Sequence, residues 1–121
     1  MYGILVNMSD CIFCKIINGE IPSKKLYEDD ELLAFNDANP KAPVHFLVIP
    51  KKHIKNMMEL DAADSALVGR LMFKAQELAQ SEGCTEKGAR FVINCKSHAG
   101  QTVDHLHCHV LGGRFLKWPP G

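Results

Sequence analysis

His105-Leu106-His107-Cys108-His109-Val110-Leu111 places imidazoles at alternate positions with apolar residues between them. That is the period of a β-strand with one buried face, so the pattern predicts three rings on one side. Leu106, Cys108 and Val110 should then point the other way, into a core. Alternate Cα atoms on a strand lie roughly 6.5–7 Å apart, close enough for neighbouring rings to act on one ligand. Near neutral pH an imidazole can bind a metal, attack an electrophile or move a proton. Three readings follow: a polar strand face that uses histidine, a metal site of the HxH kind, or attack on phosphorus by the middle histidine with the outer two positioning and protonating. The motif does not separate the last two.

The chain around it bounds the choice. At 121 residues with 46% hydrophobic and 23% charged residues, it has the make-up of one soluble globular domain. A formal net charge of zero gives no basic excess for nucleic acid or an anionic membrane, and no apolar run approaches spanning length. Residues 1–9 carry no basic stretch ahead of Ile4-Leu5-Val6, so we expect no signal peptide, but a disordered or peripheral leader before a single domain over 10–121. Five cysteines, an odd number, argue against a disulfide framework and for a reducing compartment, the cytoplasm.

The elements that must position the histidines follow in order. Asp10 is placed to cap a short helix over 11–18, with Ile12, Phe13, Ile16 and Ile17 as its apolar stripe and Gly19 as its stop. On that helix Cys11 and Cys14 share a face. Strands are expected over 25–28 and 32–35 around an Asp29-Asp30 turn, and the turn-rich block from Asn36 to Pro43 should be a loop. His45 to Ile49 is apolar enough for a central strand, closed by Pro50. Residues 51–60, with His53, form a connector. Asp61 then caps the one long helix, to about Ser81. Ala63, Leu67, Leu71, Ala75, Leu78 and Ala79 should be buried along it, with Met72 and Phe73 extending that face. A strand over 90–94 and a polar loop over 96–102 lead into the histidine run. The sum is an α+β fold: a five-stranded, largely antiparallel sheet with one long and one short helix, the histidine face turned away from the long one. An exposed sheet edge invites a second copy, so a homodimer is expected.

The histidine run resembles the signature of the histidine triad family of nucleotide hydrolases and transferases, and the likeness extends from Cys11 to Gly121. Leu111-Gly112-Gly113-Arg114, Trp118-Pro119-Pro120-Gly121, Ile21-Pro22, the segment from Ala42 to His53, and Gly100-Gln101 are similar to the nucleotide-binding branch, whose members act as purine nucleoside phosphoramidases. The resemblance implies that His107 attacks the α-phosphorus and forms a covalent nucleotidyl intermediate that water cleaves. His109 and Thr102, which stands where the branch usually has serine, would bind the phosphate and leaving group. His105 and His45 would buttress the nucleophile's ring. Asn94 and the backbone of Gly100 and Gln101 would donate to phosphate oxygens. Asp37 would accept the ribose hydroxyls. Ile12, Phe13, Ile16, Phe35 and Leu47 would sandwich the purine, with Ala38 replacing a larger branched residue at the wall. Trp118-Pro119 would reach a dimer mate's site.

The same resemblance implies a structural zinc on Cys11, Cys14, His53 and His105, as in some members of the wider family, while the reaction itself requires no cofactor. The implied partners are AMP- or GMP-linked substrates and a second copy, with no nucleic acid and no membrane. Two other functions stay open at this point. One is a nucleotide-binding interaction module without turnover; the other is a dinucleoside polyphosphate hydrolase, against which the Trp-Pro-Pro-Gly ending weighs.

Overall fold

The computed structural model describes residues 10–121; the leader expected over 1–9 lies outside them. Helix α1 (Ile12–Ile17) is followed by strands β1 (Lys25–Glu28), β2 (Leu32–Asn36) and β3 (Val44–Pro50). The long helix α2 (Ser65–Ser81), strand β4 (Ala89–Val92), the short helix α3 (Lys96–Ala99) and strand β5 (Cys108–Gly112) complete the chain. The strands form one sheet in the order β1-β2-β3-β5-β4, and every adjacent pair is antiparallel. This is the expected α+β sheet, with the most apolar strand in the middle.

Alternation along the strands divides the interior in two. Ala34, Phe46, Val48, Leu106, Cys108 and Val110 face α2 and pack on Leu67, Leu71, Ala75 and Ala79. Leu33, Phe35, Leu47 and Ile49 face the other way and pack on Cys11, Phe13, Cys14 and Ile16 of the α1 region. The histidines belong to this second side, away from the long helix as expected.

Several local expectations are corrected. The cap of α1 is the Cys11 thiol, which accepts from the Cys14 N–H at 3.3 Å, rather than Asp10, and the helix is a residue shorter at each end. Asp61 caps a single 3-10 turn, Ala62–Asp64, before α2 begins, so Ala63 is exposed. Phe73 is 62% exposed and lies on the outer side of α2, whereas Leu78 and Met72 pack against the core. Residues 96–102 are not all loop, because Lys96–Ala99 makes a second short helix closed by Gly100 at φ +79°. Strand β4 ends at Val92, which leaves Asn94 outside it.

The largest correction concerns the histidine run. Only its second half is a strand, with His105, Leu106 and His107 preceding β5. The register Val44↔Gly112, Phe46↔Val110, Val48↔Cys108 would next oppose Pro50 to Leu106. Proline has no N–H to continue the ladder. The backbone of Leu106 therefore leaves the sheet and donates to the Ile54 carbonyl at 2.7 Å, while His105 N–H donates to Val103. Pro50 ends β3, paired to Leu32 on its other side, rather than lying beyond it.

Candidate active site

Three rings that share one side in sequence are sent to two places. His105 is fully buried and turns towards α1. Its Nε2–H donates to the Pro50 carbonyl at 2.8 Å, which leaves the Nδ1 lone pair free. That nitrogen lies 3.3 Å from Cys11 Sγ, 3.6 Å from Cys14 Sγ and 3.1 Å from His53 Nδ1, and His53 Nδ1 is 3.3 Å from Cys14 Sγ. A tetrahedron with Zn–S of about 2.3 Å and Zn–N of about 2.0–2.1 Å has edges of roughly 3.3–3.8 Å, so these four ligand atoms have the spacing and chemistry of a closed Cys2His2 zinc site. Burial and the neighbouring Cys11 push the Cys14 thiol up to about 12, and a dication would reverse that by favouring the thiolate. The residues expected for the metal are thus brought together.

His107 takes the other direction. It is buried, its ring edge-on to Phe13 with centroids 5.1 Å apart and beside His109 at 5.0 Å. Nδ1–H donates to the His105 carbonyl at 2.6 Å, so the neutral ring keeps its lone pair on Nε2. His105 therefore holds this ring through its backbone, and its own ring is occupied elsewhere. Burial holds His107 below the ordinary imidazole value, and pushes His105 and His109 down to about 4. All three are neutral near pH 7.

His45 is tied to His109 rather than to His107. The Lys41 backbone N–H donates to His45 Nδ1 at 3.0 Å, so the neutral ring carries its proton on Nε2. That Nε2–H faces His109 Nδ1 at 3.0 Å, with Asp37 Oδ2 at 3.4 Å. His109, accepting on Nδ1, then presents an Nε2–H. Next to each other stand one imidazole with a free lone pair on Nε2 and one with a proton there.

The remaining expected residues are placed less uniformly. Asp37 is at the site, its other oxygen accepting from Asn39 N–H at 2.8 Å. Phe13, Ile16, Phe35 and Leu47 form a contiguous apolar wall beside the histidines, Leu47 directly across from His109. Ile12 and Ala38 are exposed and stand outside this wall. Asn94 is half-buried. The amides of Gly100 and Gln101 do not point free donors at the site: they donate to Ser97 and Lys96 carbonyls and close α3. The Gln101 side chain holds the same loop, bonding Lys96 N–H, Lys55 O and Val103 O. Thr102 is exposed and borders a cavity of about 400 Å³ with Cys11, Ile12, His53 and Lys55. Trp118 is 79% exposed, on a tail held by Arg90 through the Leu116 and Lys117 carbonyls.

Two participants escaped the sequence reading. Lys41 acts through its amide, for which no side-chain pattern exists. Arg114, which grips the Lys41 carbonyl with Nε at 3.1 Å and Nη2 at 2.9 Å, stood in the Gly-Gly-Arg block without a role.

An open antiparallel sheet of five strands, with buried neutral imidazoles across β3 and the β5 entry and a Cys2His2 cluster behind them, defines the class: an α+β protein with a histidine site on the sheet face opposite its long helix. The profile described as "Scavenger mRNA decapping enzyme C-term binding" matches residues 10–117. A HIT-like protein of Synechococcus elongatus is 55% identical over 112 residues, which is 93% of this chain and 97% of that one. The crystal structure of a HIT family hydrolase from Legionella pneumophila is similar at TM-score 0.91 and 49% identity, covering 93% of this chain and all of the other. A histidine triad protein from Clostridium difficile follows at 0.86 and 48%, covering 89% and 94%. The chain belongs to the histidine triad family. Its fold is that of proteins named as hydrolases of this family.

Proposed function

We propose that this protein hydrolyses the P–N bond of purine nucleoside phosphoramidates, AMP- or GMP-linked amines, through a covalent nucleotidyl–His107 adduct. The observation that carries the reading is the opposed protonation of two adjacent rings: a lone pair on His107 Nε2, fixed by the bond to the His105 carbonyl, and a proton on His109 Nε2, fixed by His45.

The His107 Nε2 lone pair attacks phosphorus, and the P–N bond breaks as His109 Nε2–H gives its proton to the departing amine. An amine anion is too poor a leaving group to depart without one. The His45–His109 pair is neutral in the free protein because burial disfavours its charge. Loss of the His109 proton is offset by the positive charge that develops on the His107 adduct, whose ring lies 5.0 Å from that of His109 between centroids. In the second step water attacks phosphorus, returns a proton to His109, and the bond to His107 breaks. The apolar wall of Phe13, Ile16, Phe35 and Leu47 suits a purine, and Asp37 suits the ribose hydroxyls. Zinc held by Cys11, Cys14, His53 and His105 would cross-link α1, the connector and the chain before β5, so its contribution is to the scaffold and not to the reaction.

A homodimer belongs to this reading, since β4 is an edge strand and its Phe91 is exposed. The five free cysteines suit the cytoplasm, and no helix among the described residues is long and apolar enough to cross a membrane. The test compares adenosine 5′-phosphoramidate, guanosine 5′-phosphoramidate and diadenosine polyphosphate as substrates, with acid-quench mass spectrometry for the adduct. Faster turnover of the phosphoramidates and a nucleotidyl mass on the peptide holding His107 are expected. Binding without an adduct would leave a nucleotide-binding module, and faster cleavage of the dinucleotide would move the chain to the other enzymatic activity.

A further inference from the structure

The loop between β2 and β3 is wound around one ring. Asp37 N–H donates to the His45 carbonyl at 3.0 Å, and Lys41 N–H donates to His45 Nδ1 at 3.0 Å. Prolines at 40 and 43 stiffen what lies between and beyond. Lys41 itself is exposed, and its N–H and C=O belong to successive peptide groups joined at its Cα. Arg114 fixes the second of these groups: its Nε and Nη2 both donate to the Lys41 carbonyl while Nη1 donates to Phe115 O at 3.0 Å. The guanidinium reaches that position because the chain turns sharply at Gly113, where φ is +87° and a Cβ would stand 2.9 Å from Pro43 Cβ.

We propose that Arg114 is a positioning residue for the proton donor: by anchoring the chain at the Lys41 carbonyl it keeps the preceding N–H on His45, so that His45 stays protonated on Nε2 and His109 presents Nε2–H to the leaving group. The chain runs from Arg114 to Lys41 O, from Lys41 N–H to His45 Nδ1, and from His45 Nε2–H to His109 Nδ1. Without the guanidinium the chain at Lys41 loses its anchor and can turn about the Cα, and His45 loses the donor that selects its tautomer. Each ring then exchanges between two tautomers, one of which points a lone pair at the amine that must be protonated.

The catalytic part of this inference rests on the proposed phosphoramidase reaction; the tautomer part does not, and the experiment separates them. Long-range ¹⁵N–¹H correlation spectra of the wild type should show His45 and His109 each protonated on Nε2. In Arg114→Gln the His45 nitrogens should move towards averaged shifts, and kcat on adenosine 5′-phosphoramidate should fall about tenfold, the scale of one charge-assisted hydrogen bond, with KM within about twofold. Arg114→Lys, which keeps a charged donor, should recover part of both effects. A wild-type His45 protonated on Nδ1 overturns the inference with no variant needed. So does an Arg114→Gln protein that melts earlier yet keeps the wild-type tautomers, and so does an unchanged kcat beside altered tautomers. If the wild type lacks phosphoramidase activity altogether, the proposed function fails, while the spectra still decide whether Arg114 controls His45.

Discussion

Two histidine clusters lie on the same side of one sheet, and their hydrogen bonds are arranged in opposite ways. Around Cys11, Cys14, His53 and His105, the outward nitrogen of His105 is satisfied by Pro50 O, so its Nδ1 lone pair and the two sulfurs face one another at 3.3–3.6 Å. With both thiols ionised these would be acceptors facing acceptors, the arrangement that suits a cation. Asp37, His45 and His109 also bring ligand atoms within 4.8 Å of one another. There, though, the Lys41 amide occupies His45 Nδ1 and puts a proton on the nitrogen that a metal would need. Donor and acceptor alternate from the backbone to the site, which fixes the tautomer of each ring. Spacing alone makes both clusters look like metal sites; the second hydrogen bond of each ring tells them apart.

That contrast can be broken at its catalytic end first. His107→Asn should reduce phosphoramidate turnover ~10³-fold or more, the range for losing an essential nucleophile, while nucleotide affinity and metal content hold. A calorimetric titration with AMP, metal analysis and the turnover assay together check it, and undiminished activity would end the assignment. Next, Cys14→Ser should lower bound zinc from about one ion per chain towards none, with a fall in melting temperature. Activity per folded molecule should drop less than for His107→Asn, because the ion supports His105 and the reaction does not pass through it. Comparable losses in both variants would erase the distinction between the clusters.

A finer cut is His109→Gln. Losing a proton donor should cost about 10²-fold with an alkylamine leaving group and much less with a weakly basic arylamine, which needs little help to depart. Equal losses on both substrates would remove the donor role. The smallest effect is on stability. His109 sits near 4 in the folded protein through burial beside His107 and His45, against 6.5 ordinarily. The unfolded chain therefore binds its proton first as pH falls. The stabilisation is whole above about 6.5 and disappears towards 4, on the order of 2 kcal/mol after allowance for partial exposure. Urea melts at pH 7 and pH 4.5 should show a decline that His109→Gln makes shallower.

Much of the architecture was legible because periodicity reports burial directly. The β1 bounds, the apolar β3 and the i, i+4 stripe of Leu67, Leu71, Ala75 and Ala79 depend on which face meets the core, and that is written in residue type. Phe73 misled because an aromatic beside an apolar stripe reads as core, whereas its position on the helix turns it outward. Cys11 was expected through the family resemblance as a metal ligand and not as a helix cap, since sulfur is an uncommon capping acceptor.

By itself, then, the sequence determined the sheet, the long helix behind it, and the set of histidines, cysteines and Asp37 that gather on the opposite side. It did so because alternation and helical spacing are local properties. Only the tertiary structure decided which ring serves which purpose. Pro50, more than fifty residues upstream, ends the ladder opposite Leu106 and sends His105 to the sulfurs; the Lys41 N–H gives His45 its tautomer. Which nitrogen carries the proton is fixed by the partner across the fold, and no pattern along the chain encodes it.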